Sequence, residues 1–425
     1  MDFQVKENTK IGEKYYHLKH KSGLNVFIVP KKHAVTFATF ATKFGSADCQ
    51  FYDNEGNLTT LPDGVAHFLE HKMFEQPNGK DAFELYAKYG GNANAYTNEE
   101  QTVYLFSATD KFYDNLKILL THVTNPHFTV ENVAKEQGII GQEIKMYDDN
   151  PNWRVFFNML DCLYVNHPIK RDIAGSVESI SKITPELLYK CHKCFYNLNN
   201  MVLCIAGDVD NGKVLAILDK ILKPSEPFIA TLKQTDEPTT INKQSMSQEL
   251  EVAIPLYSIG IKCAPCENNS TRIYAAMEIA VGIIFGKSGS FYNDCYEKGI
   301  FNHFSANFQT IRESIAFLEI SGVANEPKAV YDAVLAEIEK RKVQGFTDEE
   351  FTRAKKVLYA DTVCDYDSTD DIANTFISYY FSNDDMLEYP NVIASVDKKY
   401  AEDCFKNIIN IDNACISVIK PKSKG

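Results

Sequence analysis

Apolar and polar residues alternate in short runs at the start of the chain. Tyr15–His20 and Leu24–Pro30 are β-rich runs on either side of Lys21-Ser22-Gly23, a turn signal, and they predict a β-hairpin. Val35–Phe44 predicts a third strand. The spacing then becomes helical. Gly64 to Phe74 predicts a helix with Asp63 as its N-cap just after Pro62. Lys80–Tyr89 predicts another, stopped at Gly90-Gly91, where glycine can supply a left-handed residue. Ala93–Ser107 alternates as a strand or hairpin, and Asp110–His122 reads as a helix. Thr129 can cap a long helix running to about Tyr147, which Asp148-Asp149-Asn150-Pro151 breaks. Met201–Gly207 is apolar throughout and predicts a buried strand.

The pattern is interrupted between Leu222 and Ser247. Pro224, Pro227 and Pro238, with the polar run Lys233–Ser247, read as a linker. Order then resumes with a strand at Leu250–Lys262, a helix at Thr271–Phe285 and strands across Phe304–Ala324. Long helices follow at Pro327–Val343 and Thr347–Thr362. One echo joins the two halves. Cys194-Phe195-Tyr196-Asn197 precedes the strand at Met201–Gly207, and Cys404-Phe405-Lys406-Asn407 precedes one at Ala414–Ile419. The expected division is a domain at 1–222, a linker at 223–247 and a similarly built domain at 248–425.

A length of 425 residues agrees with two domains, since one hydrophobic core rarely grows so large. The apolar fraction of 44% and charged fraction of 24% are those of an ordinary folded protein. Asp plus Glu outnumber Lys plus Arg by 57 to 44, a formal charge of −13, which argues against a nucleic-acid partner. The polar N-terminal stretch lacks the apolar core of a signal peptide, and no run of about 18 apolar residues follows. A cytoplasmic chain with no membrane span is therefore expected. The eleven cysteines are scattered through apolar runs, as free thiols would be. The pairs Cys191/Cys194 and Cys263/Cys266 stand too far apart for a zinc ribbon and predict buried thiols.

The sharpest chemical signal is His67-Phe68-Leu69-Glu70-His71. Residues four apart share one face of a helix, so both imidazoles can point at one ion. Glu70 sits beside such an ion and could take a proton from water and later deliver it to a leaving amine. This is an HExxH arrangement with the glutamate moved across the histidine pair. Two imidazoles leave a zinc ion short of a ligand. The helix after Thr129 carries Glu136 and Glu143, two turns apart on one face. One could ligate while the other orients a histidine, although glutamates on a helix are more often a solvated stripe. Ile139, Ile140 and Ile144 around them predict a buried helix, where a carboxylate needs a partner.

These motifs, taken in order, resemble the pitrilysin/insulinase family of zinc peptidases, nearest to its short, processing-peptidase-like bacterial members. The resemblance rests on His67–His71, Gly90-Gly91 with Asn94-Ala95-Tyr96-Thr97, and Glu136 through Glu143. It continues through His167-Pro168, Ala174-Gly175-Ser176-Val177-Glu178-Ser179-Ile180 and Ala206-Gly207-Asp208-Val209. It implies an α+β fold of two homologous domains, each a mostly antiparallel or mixed sheet packed against helices, forming half of a clamshell. It also implies one Zn2+ per chain, bound by His67, His71 and Glu143, with Glu70 as base and Glu136 supporting the site. Asn94, Ala95, Tyr96 and Thr97 would then form an edge strand that takes up peptide substrate by strand addition.

The chain departs from the family in one place. Active members carry an arginine and, seven residues later, a tyrosine in the second half. Aligning Ser288–Gly299 on Gly299 puts Cys295 and Asn302 at those positions, and neither offers a cation or a phenol. The expectation is a homologous partner chain that supplies Arg and Tyr, or otherwise a homodimer. The competing readings are a catalytically silent subunit of the same family and an unrelated metal hydrolase.

Overall fold

The alternating runs become sheet and the helically spaced runs cover it. The computed structural model describes residues 3–77, 79, 81–224, 230–266, 270–311 and 315–422. By contact the chain forms two compact units, one of residues 1–144, 172–234 and 363–388, the other of 145–171, 235–362 and 389–425. The break between Gln234 and Thr235 falls inside the proline-bearing stretch 223–247, of which 225–229, with Pro227, lie outside the described residues.

The first unit contains β1 (Gln4–Asn8), β2 (Glu13–Lys19), β3 (Asn25–Pro30), β4 (Thr36–Thr42), β5 (Gln50–Tyr52), β6 (Leu58–Thr60), β7 (Asn92–Thr97), β8 (Thr102–Ala108), β9 (Met201–Gly207) and β10 (Thr231–Leu232). Seven of these form one sheet, in the order β1-β2-β3-β9-β4-β8-β7. The expected hairpin is β2 against β3, with Tyr16 opposite Ile28. The third strand does not extend that hairpin. Instead β9 enters between, parallel to β3 and antiparallel to β4. Every residue of β4 and of β9 is buried, so both faces of the sheet must be covered.

One face is covered by the helix Thr369–Phe381, a segment the sequence alone assigns to the second half. Its Ile372, Ala373, Phe376 and Ile377 pack with Phe27, Phe37, Ala41 and Val202 in one apolar cluster. The helix Val65–Lys72 packs against β7 and β8, on the side where Thr97 meets Glu70.

The second unit contains β11 (Ser245–Leu250), β12 (Leu256–Lys262), β13 (His303–Ile311), β14 (Ile315–Val323) and β15 (Ala414–Pro421), in the order β11-β15-β12-β14-β13. The single strand expected at Leu250–Lys262 is thus the end of β11 and the whole of β12, parted by residues 251–255, the last of them Pro255. β15 runs parallel to β11 and antiparallel to β12, as β9 does to β3 and β4. The five-strand order repeats β3-β9-β4-β8-β7, which gives the short sequence echo a structural meaning. Here the helix Pro151–Leu163 covers β12 and β15, and its Asn158 donates to Gln248 Oε1 at 3.0 Å. The fold is α+β with two similarly built units.

His122 illustrates how firmly the first unit's core is set. It is 1% exposed, with Nε2 3.1 Å from the Tyr86 hydroxyl and Nδ1 3.3 Å from the Met73 carbonyl. Burial pushes its pKa down to about 4, partly opposed by the Met73 carbonyl. An unfolded histidine titrates near 6.5, so above that pH both states are neutral and the contribution to stability is complete. As the pH falls from about 6.5 towards 4, the unfolded chain takes up a proton that the folded chain refuses. Up to about 3 kcal/mol is lost over this window. Urea denaturation in EDTA between pH 7 and 4.5 should show the decline, and His122→Gln should reduce the slope by close to one proton. An unchanged slope in the variant would refute the assignment.

Candidate metal centre

The helix Val65–Lys72 presents the motif. Its N-cap is Gly64, in a left-handed conformation at φ 90°, and not Asp63 as the sequence suggested. A side chain on Gly64 would have its Cβ 2.3 Å from the Ala174 carbonyl oxygen, and one on Gly175 would meet the Asp63 carbonyl oxygen at 2.4 Å. The Asp63 carbonyl also accepts a hydrogen bond from Ser179 Oγ at 2.8 Å. The run Ala174–Ile180 is therefore a clasp on the start of the motif helix, a role its sequence did not disclose.

The long helix is Val130–Asp148, capped as expected by Thr129 Oγ1, which accepts from Asn132 N at 3.2 Å. Glu136 is buried on it together with Ile140 and Ile144. Ile139 is not part of that burial: it is an exposed residue, because the helix turns a mixed face outward there.

Across the two helices, His67 Nε2 lies 3.6 Å from Glu143 Oε1 and His71 Nε2 lies 3.5 Å from Glu143 Oε2. One ligand atom from each of the three residues falls within 4.8 Å of the others, the only such group found among the described residues. The imidazole rings stand 4.6 Å apart, tilted by 57°. His71 Nδ1 is 3.1 Å from Glu136 Oε1, which turns Nε2 towards Glu143. His67 Nδ1 is buried without a hydrogen-bond partner. Two imidazole nitrogens and a carboxylate are the donor set a zinc ion with an open position takes, so the residues present fit that ion.

Glu70 is buried and takes a hydrogen bond from Thr97 Oγ1 at 2.6 Å. Burial pushes its carboxyl above the usual carboxylate range, against the pull of His67, Thr97 and His71. Burial alone would depress His71, yet the bond to Glu136 and the charges of Glu70 and Glu143 hold it above its usual value. Burial alone would raise Glu136, and the contacts with His71 and Lys72 hold it below the usual range.

β7 is an outer strand of its sheet. Its residues alternate between faces. Thr97 meets Glu70, whereas Tyr96 packs against the opposite cluster, its hydroxyl 3.3 Å from Asn374 Oδ1. Asn94 is exposed, with Oδ1 turned back to the Ala95 backbone N–H. Cys295 is buried in the helix Ser290–Glu297, and Asn302 is exposed just before β13, its N–H donating to the Val323 carbonyl. The cysteines of both CxxC pairs are buried free thiols. The sequence reading overlooked Lys72, which is wholly buried and bonded to Glu75 and Glu136. A charged residue directly after the motif, in front of the apolar Met73-Phe74, was the available signal.

Such a sheet edge beside two histidines, a bridging glutamate and a second, buried carboxylate is the arrangement of a metallopeptidase centre. The profile for insulinase, peptidase family M16, matches residues 54–177, and that for the peptidase M16 inactive domain matches 182–358. The chain belongs to the M16 family of peptidases. It is 34% identical to the uncharacterized zinc protease YmfH of Bacillus subtilis, over 98% of this chain and 99% of the relative. It is 25% identical to the zinc protease PqqE of Helicobacter pylori, over 86% of this chain and 83% of the relative. The crystal structure of an M16-like protein from Alicyclobacillus acidocaldarius superposes with a TM-score of 0.92 at 30% identity, covering 99% of each chain. Among the described residues no helix is long and apolar enough to cross a membrane.

Proposed function

We propose that this chain is a zinc-dependent endopeptidase that hydrolyses short or unfolded peptides. The observation that carries this reading is the convergence of His67, His71 and Glu143 on one point, with the buried Glu70 carboxylate beside it. His67 Nε2, His71 Nε2 and the Glu143 carboxylate would hold one Zn2+, and Glu136 would keep His71 turned towards it. Zinc, when bound, polarises water and the carbonyl of the scissile bond. Glu70, steadied by Thr97, accepts the proton that water releases and returns it to the leaving amine. The outer edge of β7, from Asn94 to Thr97, offers backbone hydrogen bonds to an extended peptide with little regard to its sequence.

The family resemblance aligns Cys295 and Asn302 with the arginine and tyrosine of active members, and neither offers a cation or a phenol. This supports an active species made of a pair of chains. A homologous partner supplies the missing arginine and tyrosine, and the two close as halves of a clamshell in the cytoplasm. Pull-down from the native source should recover that partner; full activity of the isolated monomer would refute it. The same two residues also favour a second reading, a silent subunit of the family.

Metal removal separates the two readings. The purified assembly should contain about one zinc per chain, lose peptide hydrolysis on treatment with 1,10-phenanthroline and regain it on adding zinc. Hydrolysis that survives complete removal of the metal would overturn the proposal, and a metal-loaded assembly without activity would favour the silent subunit.

A further inference from the structure

We propose that Lys72 is a positioning residue for the metal centre: its ammonium fixes the Glu136 carboxylate that holds His71. The inference rests on the zinc reading above and deepens it. The Lys72 side chain has no solvent exposure. Its Nζ is bonded to Glu75 Oε2 and lies 3.4 Å from Glu136 Oε2. The other oxygen of Glu136, Oε1, is the one 3.1 Å from His71 Nδ1. Each oxygen of this carboxylate thus has its own donor, and the group cannot rotate without losing one of them.

A fully buried ammonium is costly unless it is paired, and the pairing here does two things. It offsets the negative charge of the buried Glu136 carboxylate, which lies between the Lys72 ammonium and the His71 ring. It also keeps Glu136 Oε1 as the acceptor for the His71 Nδ1–H, the tautomer that leaves the Nε2 lone pair facing Glu143. The two histidines differ in this respect. His67 Nδ1 has no hydrogen-bond partner, so the bond-directed orientation of the pair enters through His71, Glu136 and Lys72.

The test is zinc affinity in the purified full-length protein, read by competition with a chromophoric chelator. Wild type, Lys72→Met, Glu136→Gln and the double variant are compared. Lys72→Met should bind zinc about 10- to 100-fold more weakly, the usual effect of removing a group that orients a ligand. The double variant should be no weaker than Glu136→Gln alone by more than about threefold, because Lys72 acts through Glu136. A merely structural lysine would leave affinity unchanged or add its loss to that of Glu136, and either result overturns the proposal. Should Lys72→Met fail to fold, ¹⁵N spectra of the zinc-free wild type decide the matter. They should show His71 protonated at Nδ1 and Lys72 ammonium protons protected from exchange; a freely exchanging ammonium overturns it. A wild type that binds no zinc would instead sink the metal-centre reading, leaving the spectra to report on Lys72 alone.

Discussion

Glu70→Gln is expected to cut peptide hydrolysis by roughly two to four orders of magnitude while the protein keeps its zinc. The substitution preserves size, and the amide oxygen can still accept the hydrogen bond from Thr97 Oγ1, so β7 and the motif helix need not move. None of the three converging donor atoms belongs to Glu70. What the amide cannot do is take a proton from water and return it. The loss should therefore fall on kcat, with the zinc content and KM close to wild type. Steady-state kinetics with elemental analysis would check this. A variant within about threefold of wild-type kcat would remove Glu70 from the reaction.

Gly64→Ala should lower stability by roughly 2–4 kcal/mol, a large share of what holds a domain folded. Two costs combine. A residue with a side chain is strained at φ 90°, and its Cβ would lie 2.3 Å from the Ala174 carbonyl oxygen, a backbone atom that can move only with its loop. Displacing that loop disturbs the clasp made by Gly175 and Ser179 on Asp63, and with it the start of the helix that carries His67. Urea denaturation of the zinc-free protein should show the loss, and zinc should bind more weakly to whatever folds. A midpoint unchanged from wild type would mean that the clasp does not position the helix.

Much of the fold is legible where neighbouring residues make the decision. Thr129 caps its helix because its hydroxyl reaches Asn132 N three residues on, and the strands expected at Met201–Gly207 and Ala414–Ile419 follow from their apolar runs, the second extending to Pro421. Partners that lie far apart in sequence are not legible. The insertion of β9 between β3 and β4, and the helix Thr369–Phe381 covering their sheet, depend on which apolar face fits which across hundreds of residues. Ile139 was misplaced for the same reason: helical spacing locates a stripe, but only the neighbouring elements decide which side of it is covered.

The sequence by itself determined the chemistry on offer at the centre. Two imidazoles one turn apart, and two glutamates two turns apart, are set by the pitch of the helix whatever surrounds it. It also carried the duplication, in a four-residue echo that marks where each half sends a helix into a central strand. The tertiary structure alone decided how those groups meet. The approach of Glu143 to both histidines, the division of Glu136 between His71 and Lys72, and the hydrogen bond from Thr97 to Glu70 each join separate elements. Their distances are set by the packing of helix on helix and helix on sheet, a property of the folded whole that no local stretch of residues contains.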